Sequence, residues 1–265
     1  MTDKVQVPLV SNGFTLSPNK VGRLEMTDPG QPRAALREQY EAQGYLWLKG
    51  ILPREDVLAF RRRVFAALSE CGLVAEDTDP LLGISSGSEH VAGKPHPNKL
   101  IMEIVRWAAF EAFCLAQPIV AFYEDFLEGS VYLHKRKIVR YSLPNDPRCT
   151  GPHYDLVYLR GGTDRLCTSW IPIGDIPVEM GGLIYLENSH LVGPRLEAEY
   201  RERSVDLPPE ERVSAYNRHM DQGGWLDRNI DALADKFDSR WLMADYETGD
   251  MVVHGPYMIH ASTEN

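Results

Sequence analysis

The chain has 265 residues, 43% hydrophobic and 25% charged, a mixture that excludes disordered and fibrous proteins and allows a substantial core. Its formal charge is −10, and outside Arg61, Arg62, Arg63 and Lys135, Arg136, Lys137 the basic residues are scattered, so no basic stripe exists to neutralise nucleic-acid phosphates. Cys71, Cys114, Cys149 and Cys167 fall in no zinc or disulfide spacing, no run approaches the ~20 apolar residues of a membrane span, and Met1 to Val10 lacks a secretory pattern. A cytoplasmic protein with reduced thiols and no membrane or nucleic-acid partner is expected.

Residues 1–30 mix polar residues with Pro8, Pro18 and Pro29, which predicts a loosely packed lead-in. Helical periodicity runs from near Pro32 to Gln43, where Gly44 supplies a stop, and Tyr45 to Leu48 is a short apolar run between glycines that fits a strand. Pro53 opens the next helix, where a missing N–H costs little. Val57, Phe60, Val64, Phe65 and Leu68 then recur at spacings of three and four until Gly72, with Arg61 to Arg63 on the wet side. Glycines and prolines mark 75–98 as a loop, and a helical stretch follows from Lys99 to Leu127, broken near Pro118.

After Gly129 the texture changes to short β-prone runs bounded by Gly or Pro: Val131 to Leu133, Ile138 to Tyr141, His153 to Leu159, Leu166 to Ile173, Leu183 to Leu186 and Met251 to His254. The pattern predicts a mainly β domain with α, a sandwich or jelly roll behind a helical N-terminal half. The polar segment 191–240 is too long for a hairpin loop and predicts a lid inserted into a single domain, 1–265.

The chemistry concentrates in Gly151-Pro152-His153-Tyr154-Asp155. On a strand, residues two apart share a face, so His153 and Asp155 are expected to point the same way. An imidazole and a carboxylate supply two ligands of a 2-His-1-carboxylate iron site, which needs a second histidine from elsewhere. Of the eight histidines, His260 closes the run Gly249 to Ser262 and is the expected third ligand. His254 is its rival, placed at a strand end where packing or hydrogen bonding suits it better. His90, His96, His134 and His219 have no partner at metal spacing.

These blocks, in order, resemble the phytanoyl-CoA dioxygenase family of iron(II)- and 2-oxoglutarate-dependent oxygenases. The resemblance spans Tyr40 to Asn265 and rests on Gln43 to Leu52, His153-Tyr154-Asp155, Thr168 to Ile173, Gly181-Gly182-Leu183, Glu187 to His190, and Gly249 to Ser262. It implies a double-stranded β-helix, the cupin-like jelly roll, flanked by N-terminal helices. It implies iron(II) on His153, Asp155 and His260, with 2-oxoglutarate as co-substrate beside Trp170 and Lys99. His190 is expected to stabilise the turn into the insertion. The activity implied is oxidation, most simply hydroxylation, of an unactivated C–H bond of a small organic or lipid-like substrate by O2, releasing succinate and CO2. An inactive jelly-roll binding protein, or an isomerase or hydrolase using the metal without redox chemistry, are the alternatives, and a homodimer is left open. The resemblance also implies an arginine about ten residues past His260 to pair with the distal carboxylate of 2-oxoglutarate. That position lies beyond Asn265, as expected of a sequence cut short, and Lys99, Lys137 and Arg140 are the cations here that could take the role.

Overall fold

The computed structural model describes residues 8–160, 163–208, 211–212, 220 and 224–265. Two four-stranded sheets face each other. One has the order β10-β7-β8-β3, with β3 Val21–Arg23, β7 Leu183–Leu186, β8 Trp241–Met243 and β10 His260–Ser262. The other has the order β4-β5-β9-β6, with β4 Met26–Thr27, β5 Tyr45–Leu48, β6 Thr168–Trp170 and β9 Met251–His254. A separate hairpin pairs β1 (Val10–Ser11) with β2 (Phe14–Thr15).

Side-chain alternation sorts each strand into an inner and an outer face. Tyr45, Trp47, Tyr185, Leu242 and Val252 meet between the sheets, and Tyr45 stacks on Tyr185 at 5.7 Å. The alternate residues Leu46, Leu48, Met251 and Val253 face outward, where Leu36 of α1 (Arg33–Gln43), Val57 of α2 (Arg54–Glu70) and Ile119 and Phe126 of a later helix cover them. Both faces of this sheet are therefore buried, which is why β5 and β9 read as unbroken apolar runs. Gly44 ends α1 in the left-handed region, φ 78°, and donates to the Tyr40 carbonyl; a side chain there would collide with His190.

Several expectations are corrected. The lead-in is tied to both sheets, since β3 runs parallel to β8 and β4 parallel to β5, with Leu9, Leu16 and Leu24 buried. The stretch from Lys99 to Leu127 is three helices, α3 (Pro97–Ile104), α4 (Ala108–Cys114) and α5 (Gln117–Leu127). The break expected near Pro118 is present: Pro118 lies in the first turn of α5, where its missing N–H has no helical partner to lose, and a second break separates α3 from α4. Residues 131–133 and 138–141 form no strand. The His153 to Leu159 run is not a strand either: His153 makes a single antiparallel bridge to His260, and the chain turns directly into α6 (Leu156–Leu159).

The insertion leaves β7 through α7 (Gly193–Arg203) and returns through α8 (Ile230–Lys236). Leu196, Tyr200, Ile230 and Leu233 pack on Ile184, Leu186, Trp241 and Met243, the outer face of the first sheet. Trp241 Nε1 also donates to the Ile230 carbonyl at 2.8 Å. Both ends of the expected lid thus pack on the sheet, while much of its centre, His219 included, lies outside the described residues. Among the described residues no helix is long and apolar enough to cross a membrane.

Candidate metal centre

Strand register builds the site. Across the second sheet, Tyr45, His254 and Thr168 lie in one row, His254 pairing with both neighbours. Across the first, His260 pairs with Tyr185. Residues directly opposite in an antiparallel pair share a face, so these side chains project into the space between the sheets. Asp155 enters from the α6 turn, with φ −65° and ψ −28°, and meets them there. Two backbone bonds between His153 and His260, 3.0 and 2.9 Å, hold the metal-motif loop beside β10.

The ligand atoms of His153, Asp155 and His260 all lie within 4.8 Å of one another. Asp155 Oδ1 is 3.8 Å from His153 Nε2 and 3.7 Å from His260 Nε2. Each of these rings donates its other nitrogen to the backbone, His153 Nδ1 to the Gly151 carbonyl at 2.8 Å and His260 Nδ1 to the Met258 carbonyl at 3.0 Å. With the proton fixed on Nδ1, both Nε2 lone pairs point to the same centre as Oδ1, the arrangement by which proteins orient imidazoles toward a metal.

His254 is held differently. Its Nε2 donates to Asp155 Oδ2 at 3.2 Å, and its Nδ1 accepts from the Tyr185 hydroxyl at 2.8 Å, so both ring nitrogens are engaged. Thr168 Oγ1 also donates to Oδ2. The carboxylate is thereby divided, one oxygen held by the protein and the other turned to the two histidines.

The charge states suit this division. Burial lowers the pKa of His153 and, more strongly, that of His260, whose neighbours His153 and His254 push it further down; both rings are neutral at neutral pH. Burial alone would raise Asp155, but the His254 and Thr168 hydrogen bonds and the nearby imidazoles outweigh it, and the carboxyl sits well below the usual range. Two neutral imidazoles and one carboxylate are the donor set that non-haem iron(II) oxygenases use, and the residues present fit that ion.

The other expected site residues are placed as follows. Trp170 shares the inner face of β6 with Thr168, and its ring lies 4.6 Å from Tyr246. Lys99 is exposed on α3 beside Glu70 and Glu103, in a surface hollow that includes no residue of the triad. Lys137 pairs with Glu111 at 3.1 Å. His190 Nε2 lies 3.2 Å from the Glu41 carbonyl, joining the turn after β7 to α1. The His90 and His96 rings are 5.1 Å apart, away from the triad's group of ligands.

Sequence reasoning did not single out Thr168, Tyr185, Arg160 or Glu197. Glu197 on α7 forms a buried ion pair with Arg160 at 2.7 Å and accepts from the Tyr154 hydroxyl, so the first helix of the insertion grips the residue between His153 and Asp155. Trp225 lies against Gly151, and Leu226 N donates to the Pro152 carbonyl at 2.8 Å.

Comparison with known proteins agrees with this donor set. The family model for phytanoyl-CoA dioxygenase matches residues 40–265. The 1-deoxypentalenic acid 11-beta-hydroxylase of Streptomyces arenae is 25% identical over 242 residues, 88% of this chain and 75% of that protein. Among solved structures, EctD from S. alaskensis in its apoform superposes with a TM-score of 0.54 at 14% identity, covering 92% of this chain and 75% of that one. The non-heme alpha ketoglutarate dependent carbocyclase SnoK from nogalamycin biosynthesis gives 0.50 at 18% identity, with 91% and 82% covered. These two likenesses concern the fold. The class is that of the non-haem iron, 2-oxoglutarate-dependent dioxygenases. Within it, the chain belongs to the phytanoyl-CoA dioxygenase family.

Proposed function

We propose that His153 Nε2, Asp155 Oδ1 and His260 Nε2 hold iron(II), and that the enzyme hydroxylates an unactivated C–H bond of a small organic or lipid-like substrate. The observation that carries this reading is the convergence of the three ligand atoms within 4.8 Å, with both imidazole protons committed to backbone carbonyls. The two facing sheets are proposed to be the two halves of a double-stranded β-helix. Bound at this site, iron(II) supplies the oxidising chemistry that consumes O2 and 2-oxoglutarate and leaves succinate and CO2.

The protein's own part is positional. Thr168 and His254 keep Oδ2 out of the ligand set, and Tyr185 fixes the His254 tautomer. Trp170 and Tyr246, inward of Thr168, are proposed as the wall against which 2-oxoglutarate lies. Lys99 has no part in this reading. Of the segment expected to act as a lid, a narrower role is carried forward: α7 and α8 brace the sheet, and Trp225 with Leu226 backs the Gly151 to His153 loop and shields it from water. The hydroxylase named above supports hydroxylation over other outcomes.

The test is incubation with iron(II), 2-oxoglutarate and 18O2 across a panel of small terpenoid and aliphatic acids, read by mass spectrometry. Succinate formation with one 18O atom in the product is expected. Turnover that proceeds without O2 would contradict the reading.

A further inference from the structure

Residues 136–141 alternate in burial with period two. Lys137, Val139 and Tyr141 turn inward: Lys137 pairs with Glu111 on α4, and Val139 and Tyr141 pack on the cluster of Phe60, Phe110 and Leu100. Arg136, Ile138 and Arg140 therefore share the opposite, exposed face. What that face looks toward is fixed by Arg136, whose guanidinium carbon lies 5.1 Å from the centre of the Tyr158 ring. Tyr158 in turn meets the His153 ring edge-on at 5.5 Å. Arg136 accordingly stands one aromatic ring away from a proposed metal ligand, and Arg140 shares its face of the segment.

Neither arginine makes an ion pair with any described residue. By contrast Arg54 holds Asp175, Arg62 holds Asp79 and Arg240 holds Glu187, so those guanidiniums are already committed to acidic partners. Arg140, two pleats along the same exposed face, is near enough to His153 for the two to interact electrostatically. Ile138, between the two guanidiniums, is 52% exposed and offers an apolar surface there.

We propose that Arg136 and Arg140 form an anion subsite that takes a carboxylate of the organic substrate, with its apolar body over Ile138 and Tyr158 and its reacting carbon turned to the metal. This rests on the metal-site reading above. Guanidinium forks match carboxylates in shape as well as charge, and a fork left without an acidic partner beside a reaction centre is suited to orienting a substrate. The exposed position favours the organic substrate over 2-oxoglutarate, whose proposed wall is the interior one at Trp170 and Tyr246.

The experiment uses the full chain loaded anaerobically with iron(II) and 2-oxoglutarate, with cyclohexanecarboxylate and cyclohexanecarboxamide as probes in ligand-observed NMR titrations. The carboxylate should bind about tenfold more tightly than the amide, the discount for partial exposure included. The Arg136→Gln, Arg140→Gln double variant should lose that preference, Arg136→Lys with Arg140→Lys should keep part of it, and Lys135→Gln should leave it unchanged. Equal binding of both probes to the wild type, or a preference that survives the double Gln variant, would overturn the subsite. A double Gln variant with unchanged probe preference but weakened 2-oxoglutarate binding would overturn the substrate assignment and give the subsite to the co-substrate. Metal uptake, measured in parallel, separates the two readings. Failure of the metal site would appear as no uptake with the carboxylate preference intact, and failure of the subsite as normal uptake without a preference.

Discussion

His254 Nε2 donates to Asp155 Oδ2 at 3.2 Å and thereby settles which carboxylate oxygen is left for the two histidines. Replacing His254 with Phe keeps the ring and removes the donor, and it also strands the Tyr185 hydroxyl, which now donates to Nδ1. Groups that orient metal ligands are each worth about 10- to 100-fold in affinity, and a buried partner left unsatisfied costs about 1–3 kcal/mol. Metal titration and urea unfolding of His254→Phe should show both losses while some metal binding persists. Complete loss of binding would instead make His254 a ligand.

Glu197 ties α7 to the metal motif through Arg160 and Tyr154, with the Arg160 and Glu197 side chains only 5% and 9% exposed. Removing one member of a buried ion pair typically costs about 3–5 kcal/mol, whereas replacing both with apolar residues costs far less. Glu197→Ala should therefore be much less stable than the Arg160→Met, Glu197→Leu double variant, as measured by urea denaturation. Equal stability of the two would mean that the pair contributes packing alone.

A Cβ on Gly151 would sit 2.4 Å from the Trp225 ring, too close for either to stay in place. Because the Gly151 carbonyl holds His153 Nδ1, Gly151→Ala should weaken metal affinity as well as stability. Adding Trp225→Ala to make room should restore most of the stability. A Gly151→Ala protein with wild-type affinity would show that this loop does not orient His153.

The buried histidines give the metal-free protein a pH dependence of known sign. His153 and His260 have folded-state pKa values below the ordinary 6.5. Between their folded values and 6.5 the unfolded chain binds more protons than the folded one, so stability falls as pH drops through that window, by about 1.4 kcal/mol per pH unit for each proton. Asp155 adds a further loss only at lower pH, below its ordinary value of 3.8. Urea unfolding at pH 7.5, 6.5 and 5.5 should show stability lost mainly in the second interval. A flat profile would mean that the rings titrate in the fold as they do in the unfolded chain.

The parts legible in the sequence are those governed by local pattern. Tyr45–Leu48, Leu183–Leu186 and Met251–His254 are apolar runs buried on both faces, and their strands have the bounds the runs have. His153, Asp155 and His260 were found by residue type and by resemblance, and the structure brings them together. The local geometry was not legible, because His153 and Asp155 converge through a turn into α6 and not through strand alternation. Thr168 and His254 meet on Asp155 because of the β6 to β9 register, which no local signal reports. Strands β3 and β4 are too short for a periodicity and exist through partners elsewhere in the chain. Glu197 looks like a solvated charge within Leu196 to Arg203, and only the fold buries it against Arg160.

The most direct test is anaerobic titration of iron(II) into the protein with 2-oxoglutarate, following the visible absorption band of the chelated co-substrate, for the wild type, His153→Ala, Asp155→Asn, His260→Ala and His254→Phe. The expected result is one equivalent of iron in the wild type, weakened binding in His254→Phe, and no band in the other three although their far-UV circular dichroism is unchanged. A full band at wild-type affinity in His260→Ala or His153→Ala would contradict the assignment of the metal site.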